Sequence, residues 1–142
     1  MLFTRRAEER DIESVYEIFA EATSSAQWLP PEERSNADFT KVSGGETVVV
    51  CYSPENDIWG FVSVYEPESF IHHLYVSRNC QGQGVGTVLL RSLEAWLLMP
   101  WHLKCVERNV DALAFYLSQG WVEESRAEGP KGGYVLLKKS EA

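Results

Sequence analysis

Gln81-Gly82-Gln83-Gly84-Val85-Gly86 follows a β-like run over 70–76 and opens a helix-like run over 87–99. Glycine has no Cβ, so a turn with glycines at 82, 84 and 86 lets several backbone N–H groups converge on one anion. At a helix N-terminus those N–H groups have no intrahelical partner, and the helix dipole adds roughly 0.3–1 kcal/mol toward a bound anion. The pattern predicts a seat for a diphosphate, built from main chain.

Three kinds of phosphate loop use such glycines. A nucleotide P-loop carries Lys and then Ser or Thr after its last glycine, whereas Gly86 is followed by Thr87-Val88. A dinucleotide loop belongs to the first strand-helix-strand unit and needs an acidic residue about 20 positions on. Here the loop lies past mid-chain, and that region reads Trp101-His102-Leu103-Lys104. The third pattern, Gln/Arg-x-x-Gly-x-Gly/Ala between a strand and a long helix, matches Gln81, Gly84 and Gly86 position for position. Further on, the run over 106–121 places Asn109, Ala112, Phe115, Tyr116 and Gly120 in an Asn-x-x-Ala-x-x-Phe-Tyr-x-x-x-Gly-aromatic frame that ends on Trp121. On these two motifs, in this order, the chain resembles the GNAT (GCN5-related N-acetyltransferase) superfamily. Only the last aromatic departs, Trp121 standing where the family has Phe. The resemblance is carried by 70–121 and, through element order, extends to the whole chain.

The resemblance implies an acyl-CoA-dependent N-acyltransferase. It would move acetyl from acetyl-CoA, the acyl-donor co-substrate, to a primary amine of a small molecule or protein by direct attack in a ternary complex. Backbone N–H groups of Gly82, Gln83, Gly84, Val85, Gly86 and Thr87 would hold the pyrophosphate. Gln81 would orient the turn or reach a phosphate, with Arg78 as a nearby cation. Leu74, Tyr75 and Val76 would offer main-chain hydrogen bonds to the pantetheine arm, which docks like an added strand. Asn109 either bonds the pantetheine or caps the helix starting near 111. Tyr116 would act as general acid, since a phenol near pKa 10 can give its proton to a departing thiolate. Phe115 would take the packing role instead, because neighbouring helix residues point about 100° apart. A non-catalytic acyl-CoA-binding sensor is the alternative, keeping the glycine loop without needing Tyr116 or a base.

The base is open between His72, His73, a Glu and water. Neighbouring strand residues point to opposite faces, so at most one histidine is expected to face the cleft. His72 shares the parity of Leu74 and Val76 and is our candidate, an imidazole near pKa 6.5 being able to take a proton from an ammonium.

Composition sets outer bounds. The 142 residues suit one domain over 1–142. The formal net charge of −8 disfavours nucleic acid and favours the approach of a cationic acceptor. Cys51, Cys80 and Cys105 are odd in number and widely spaced, which indicates neither a disulfide framework nor a zinc site. No metal is expected, and reduced thiols fit a cytoplasmic protein. The run over 4–11 lacks the apolar core of a secretory signal, and no 18-residue apolar run suits a membrane span. The oligomer is expected to be a monomer or homodimer.

These residues need a scaffold. Strands are predicted over 2–6, 46–52, 58–65, 70–76, 101–107, 121–126 and 134–138. The first helix carries Ile12, Val15, Tyr16, Ile18 and Phe19 on one face; others are expected over 32–42, 87–99 and 111–118. The order β-α-α-β-β-β-α-β-α-β-β defines an α/β (α+β) class. In the GNAT fold it becomes a mixed, mostly antiparallel central sheet with splayed central strands, flanked by helices. Acceptor choice is assigned to 28–42, with Trp28, and to the loops over 66–69 and 128–133.

Overall fold

The computed structural model describes residues 1–24, 45–129 and 132–141; the helix expected over 32–42 and Trp28 lie outside the described residues. Seven strands form one sheet: β1 (Phe3–Arg6), β2 (Thr47–Tyr52), β3 (Ile58–Tyr65), β4 (Phe70–Val76), β5 (Trp101–Val106), β6 (Val122–Gly129) and β7 (Gly132–Lys139). Among the described residues three helices accompany them: α1 (Ile12–Ser24), α2 (Val85–Ser92) and α3 (Val110–Ser118). The sheet order is β1-β2-β3-β4-β5-β7-β6. Every neighbouring pair is antiparallel except β4 and β5, as the mixed, mostly antiparallel reading requires.

The parallel contact is short. Only Phe70↔His102 and Ile71↔Leu103 pair, after which β5 continues against β7 while β4 continues against β3. The two central strands therefore part beyond Ile71. At the same place the β3–β4 register steps from Ser63↔His73 to Val64↔Ile71, leaving His72 with no residue opposite it. Such a bulge adds one residue to a strand, bends it and reverses the in/out sequence of side chains.

Each face of the sheet is covered because alternate strand residues are apolar on both sides. Val62, Val64 and Ile71 are buried with Leu89 and Leu90 of α2 and with Trp101 and Leu103 of β5. On the opposite face, Val50 and Phe61 are buried with Val15, Ile18 and Phe19 of α1. Full burial of side chains of this size contributes roughly 1.5–3 kcal/mol each. Among the described residues no helix is long and apolar enough to cross a membrane.

The run over 87–99 is not one helix. It begins earlier, at Val85, and the α-helix ends at Ser92, whose Oγ donates to the Leu89 carbonyl at 2.6 Å. A 3₁₀ turn, Leu93–Ala95, follows. Leu93 and Leu97 stay buried through it, because the i, i+4 spacing that predicts a helix also survives a tightened last turn.

Candidate active site

A cleft of about 940 Å³ opens where β4 and β5 part. Its size suits a ligand larger than a metabolite fragment. Leu74, Tyr75 and Val76 line it from β4; Gln81, Gly82, Gly84, Val85, Gly86 and Thr87 from the loop and α2; Asn109, Phe115 and Tyr116 from α3 and its cap. Of the residues picked out in the sequence, Gln83, His72 and His73 are not in this lining.

The glycines serve two purposes. Gly82 has φ +80° and Gly84 φ +82°, and a Cβ on either would meet no protein atom within 4 Å. Backbone conformation demands glycine there, and the space in front of the loop is open. Gly84 caps α2 without any side-chain hydrogen bond. Val88 N–H closes the first helical bond onto the Gly84 carbonyl at 3.0 Å, so the N–H groups of Val85, Gly86 and Thr87 lie ahead of the intrahelical ladder. Gly86 differs: a Cβ there would come 3.1 Å from Phe115 Cζ. Gln81 Nε2 donates to the Val76 carbonyl at 3.4 Å, tying the loop back to the end of β4.

Asn109 is a helix cap, its Oδ1 accepting from Ala112 N–H at 3.3 Å while the residue also borders the cleft. Tyr116 is more deeply placed than expected. It is buried in edge-to-face contact with Trp121, 5.7 Å between centroids, and with Phe115, 5.4 Å. The expectation that Phe115 alone packs is corrected: Phe115 covers Gly86, and Tyr116 joins the core while still bordering the cleft. Burial holds the Tyr116 phenol far above its ordinary pKa of 10, with Cys105 and Tyr75 adding to the effect.

Several wall residues escaped the sequence reading. The Tyr75 phenol, considered only for its main chain, is pushed up to about 12 by burial and then by Cys105. Arg108 lines the cleft, as Arg78 does. Glu21 of α1 also lines it, its Oε1 accepting from the Arg78 N–H at 2.6 Å. Arg108 stands directly before Asn109, and a cation at that place in the motif was the available signal.

The histidines require the main correction. The bulge cancels the alternation that was to send them to opposite faces, and their rings stack with centroids 4.0 Å apart. His73 is the one that lies against α1, in edge contact with Phe19 at 5.3 Å, and its Nδ1 lies 2.8 Å from Ser63 Oγ. His72 Nδ1 lies 2.6 Å from Glu46 Oε2. Parity with Leu74 and Val76 therefore does not carry His72 into the cleft lining; it sits at the apex, where β4 leaves β5. Ligand atoms of Glu46, His72 and His73 all lie within 4.8 Å of one another, close enough to hold a metal ion. The 2.6 Å contact instead arranges Glu46 and His72 as a hydrogen-bonded pair.

No cysteine is set up as a nucleophile. Burial pushes the Cys51 and Cys105 thiols up to about 11, and Cys80 is raised as well, again chiefly by burial.

Residues 12–121 match the Acetyltransferase (GNAT) family, and the chain belongs to it. Its fold is that of solved family structures. The apo form of YjaB from Escherichia coli superposes with a TM-score of 0.83 at 19% identity, over 100% of this chain and 99% of that one. A phosphinothricin acetyltransferase from Sinorhizobium meliloti, solved with AcCoA, gives 0.70 at 17% identity, over 99% and 88% of the two chains. Spermidine N-acetyltransferase SpeG from Vibrio cholerae, as an N152L mutant, gives 0.72 at 16% identity over 99% and 94%. No curated protein matches the chain by sequence.

Proposed function

We propose that this protein is an acetyl-CoA-dependent N-acetyltransferase that acts on a primary amine by direct attack, with 1–142 working as one domain. The observation that carries this reading is the open, Cβ-free face of Gly82 and Gly84 at the start of α2, bordering a cleft that runs to the β4–β5 splay. That cradle fits a diphosphate, and Arg78 and Arg108 line the same cleft. The AcCoA bound to a structural neighbour and the amine acceptor in another neighbour's name agree with it.

Acetyl-CoA supplies the activated acyl group as a thioester; the chain supplies position and protons. The amides of Gly82 to Thr87 grip the diphosphate, and Leu74 to Val76 present main chain to the pantetheine arm along the free edge of β4. Holding both reactants in one cleft replaces a bimolecular encounter and can be worth several kcal/mol. Tyr116, kept protonated by burial, donates a hydrogen bond and then a proton to the leaving sulfur. Asn109 spends its oxygen on the α3 cap and keeps its Nδ2 donors for the arm. His72, at the apex, is our candidate base. High thiol pKa values argue against an acyl-cysteine route. Net charge and reduced cysteines suit an acidic cytoplasmic enzyme.

The test is CoA thiol release from acetyl-CoA across a panel of primary amines. Amine-dependent release supports the enzyme; tight acetyl-CoA binding with no release for any amine would turn the reading to a sensor.

A further inference from the structure

We infer that Glu46, His72 and His73 form a binding site for a divalent first-row transition-metal ion of the Zn²⁺ kind, outside the lining of the acyl cleft. The site stands apart from the acyl-transfer reading, because neither the glycine loop nor Tyr116 takes part in it. The expectation of no metal rests on the cysteines, none of which belongs to this cluster.

Two successive residues on a flat strand point to opposite faces, so neighbouring histidines there cannot share an ion. The bulge at His72 removes that obstacle, leaving the two rings 4.0 Å apart and 30° from parallel. The carboxylate arrives from across the sheet. Glu46 directly precedes Thr47, which pairs with Val64 of β3, and Val64 pairs with Ile71, the residue before His72. All three donors thus sit on strands or directly beside one, where ladder hydrogen bonds fix their Cα positions.

The spacing brackets what an ion needs. One ligand atom from each residue lies within 4.8 Å of the other two, and Glu46 Oε2 is 2.6 Å from His72 Nδ1. Around a four-coordinate Zn²⁺ with bonds of about 2.0–2.1 Å, ligand atoms stand about 3.3 Å apart. A hydrogen now links Glu46 and His72; an ion in its place spreads that pair by under about 1 Å, and a modest side-chain rotation brings in the third ligand. On binding, the hydrogen leaves Nδ1, the neutral ring carries its hydrogen on Nε2, and the Nδ1 lone pair goes to the ion. Ser63 Oγ, 2.8 Å from His73 Nδ1, is the kind of outer partner that orients a ligating imidazole. Two imidazoles and one carboxylate suit Zn²⁺ and its first-row neighbours, whereas Mg²⁺ and Ca²⁺ take oxygen.

A second observation points to a cation independently of the spacing. The Glu46 side chain is only 7% exposed, and its other oxygen, Oε1, is buried with no hydrogen-bond partner among the described residues. A carboxylate held that deep is costly unless a positive charge lies against it, and one hydrogen at Oε2 leaves Oε1 unsatisfied. An ion offsets the charge of the whole group. The His72 side chain, 37% exposed, gives the ion a path from solvent. Three protein ligands leave a fourth position to water, unlike the closed four-ligand sites of structural zinc.

Calorimetric titration of the full, tag-free chain with Zn²⁺ tests the site. We expect one Zn²⁺ per chain, undisturbed by excess Mg²⁺. Glu46→Gln and His72→Gln should each weaken binding by at least about 100-fold, while His102→Gln leaves it unchanged. Co²⁺ in the parent should give d–d absorption without a thiolate charge-transfer band. Imidazole ¹⁵N NMR of the parent supplies a readout free of any substitution: Zn²⁺ should shift Nδ1 of His72 and one nitrogen of His73 and leave His102 in place. Absence of one-to-one binding in the parent would overturn the site, as would unchanged affinity in either cooperatively melting Gln variant, a thiolate band, or shifts confined to His102. Acetyl-CoA enters none of these measurements, so a negative result leaves the diphosphate seat standing.

Discussion

The Phe115 ring occupies the place a side chain on residue 86 would need, Cζ lying 3.1 Å from an ideal Gly86 Cβ. The two sequence motifs thus meet in one contact, the glycine loop letting α3 close against α2. Gly86→Val should push Phe115 aside and destabilise the fold by about 1–3 kcal/mol, as overpacking does. Adding Phe115→Leu should recover part of that loss. Urea unfolding of both singles and the double measures it, and strictly additive effects would mean that the two residues are not coupled.

Tyr116→Phe removes one hydroxyl and keeps the ring that packs on Trp121. Turnover should fall about 10²-fold, the low end for a general acid, because burial holds the phenol proton tightly. Acetyl-CoA affinity should change little. Steady-state rates beside a binding isotherm check this, and an unchanged kcat removes Tyr116 from the chemistry.

Acid stability is predicted from the start of the chain. Arg5 grips Asp11 with Nη2 to Oδ1 at 2.8 Å and Nε to Oδ2 at 3.2 Å. Asp11 is held below its ordinary carboxylate pKa first by that hydrogen bond, with burial opposing and the Glu8 N–H assisting. A depressed folded-state pKa means the stabilisation is present above the unfolded value, near 4, and is lost as pH falls through the folded value. Asp11→Asn should cost about 1–3 kcal/mol at neutral pH and flatten the loss of stability below pH 4. A melting-temperature profile against pH decides it.

Thiol chemistry gives an independent check on the direct-attack route. With Cys51 and Cys105 near 11, roughly one thiol in several thousand is ionised at pH 7.5. Iodoacetamide should label both far more slowly than free cysteine. Intact mass after acetyl-CoA alone should show no acetylated protein; a stable thioester adduct would require the other route.

Local signals made much of the scaffold legible. The strands over 58–65 and 70–76 have the predicted ends because turn residues bound β-rich runs, and the glycine loop announces the start of α2 through residue type alone. What stayed hidden depends on distant partners. A one-residue bulge at His72 leaves no mark in composition, yet it reverses the parity on which the placing of both histidines rested. The Glu46–His72 contact joins residues that only sheet assembly brings together. The depth of Tyr116 follows from Trp121 closing over it, which a helical period does not reveal. The shortened α2 reflects an ambiguity between α and 3₁₀ turns, which both keep Leu93 and Leu97 inside.

The diphosphate seat is the claim on which the chemistry depends, and Gly84 tests it most directly. A Cβ there meets no protein atom within 4 Å, so Gly84→Ala disturbs the fold only through the cost of φ +82°, about 1–2 kcal/mol, and Gly84→Leu starts from the same open position. They do, however, enter the space assigned to the ligand. Acetyl-CoA titration calorimetry on parent and variants should show affinity lower by at least about tenfold for Ala and more for Leu, in proteins that still melt cooperatively. Equal affinity in all three would contradict the account.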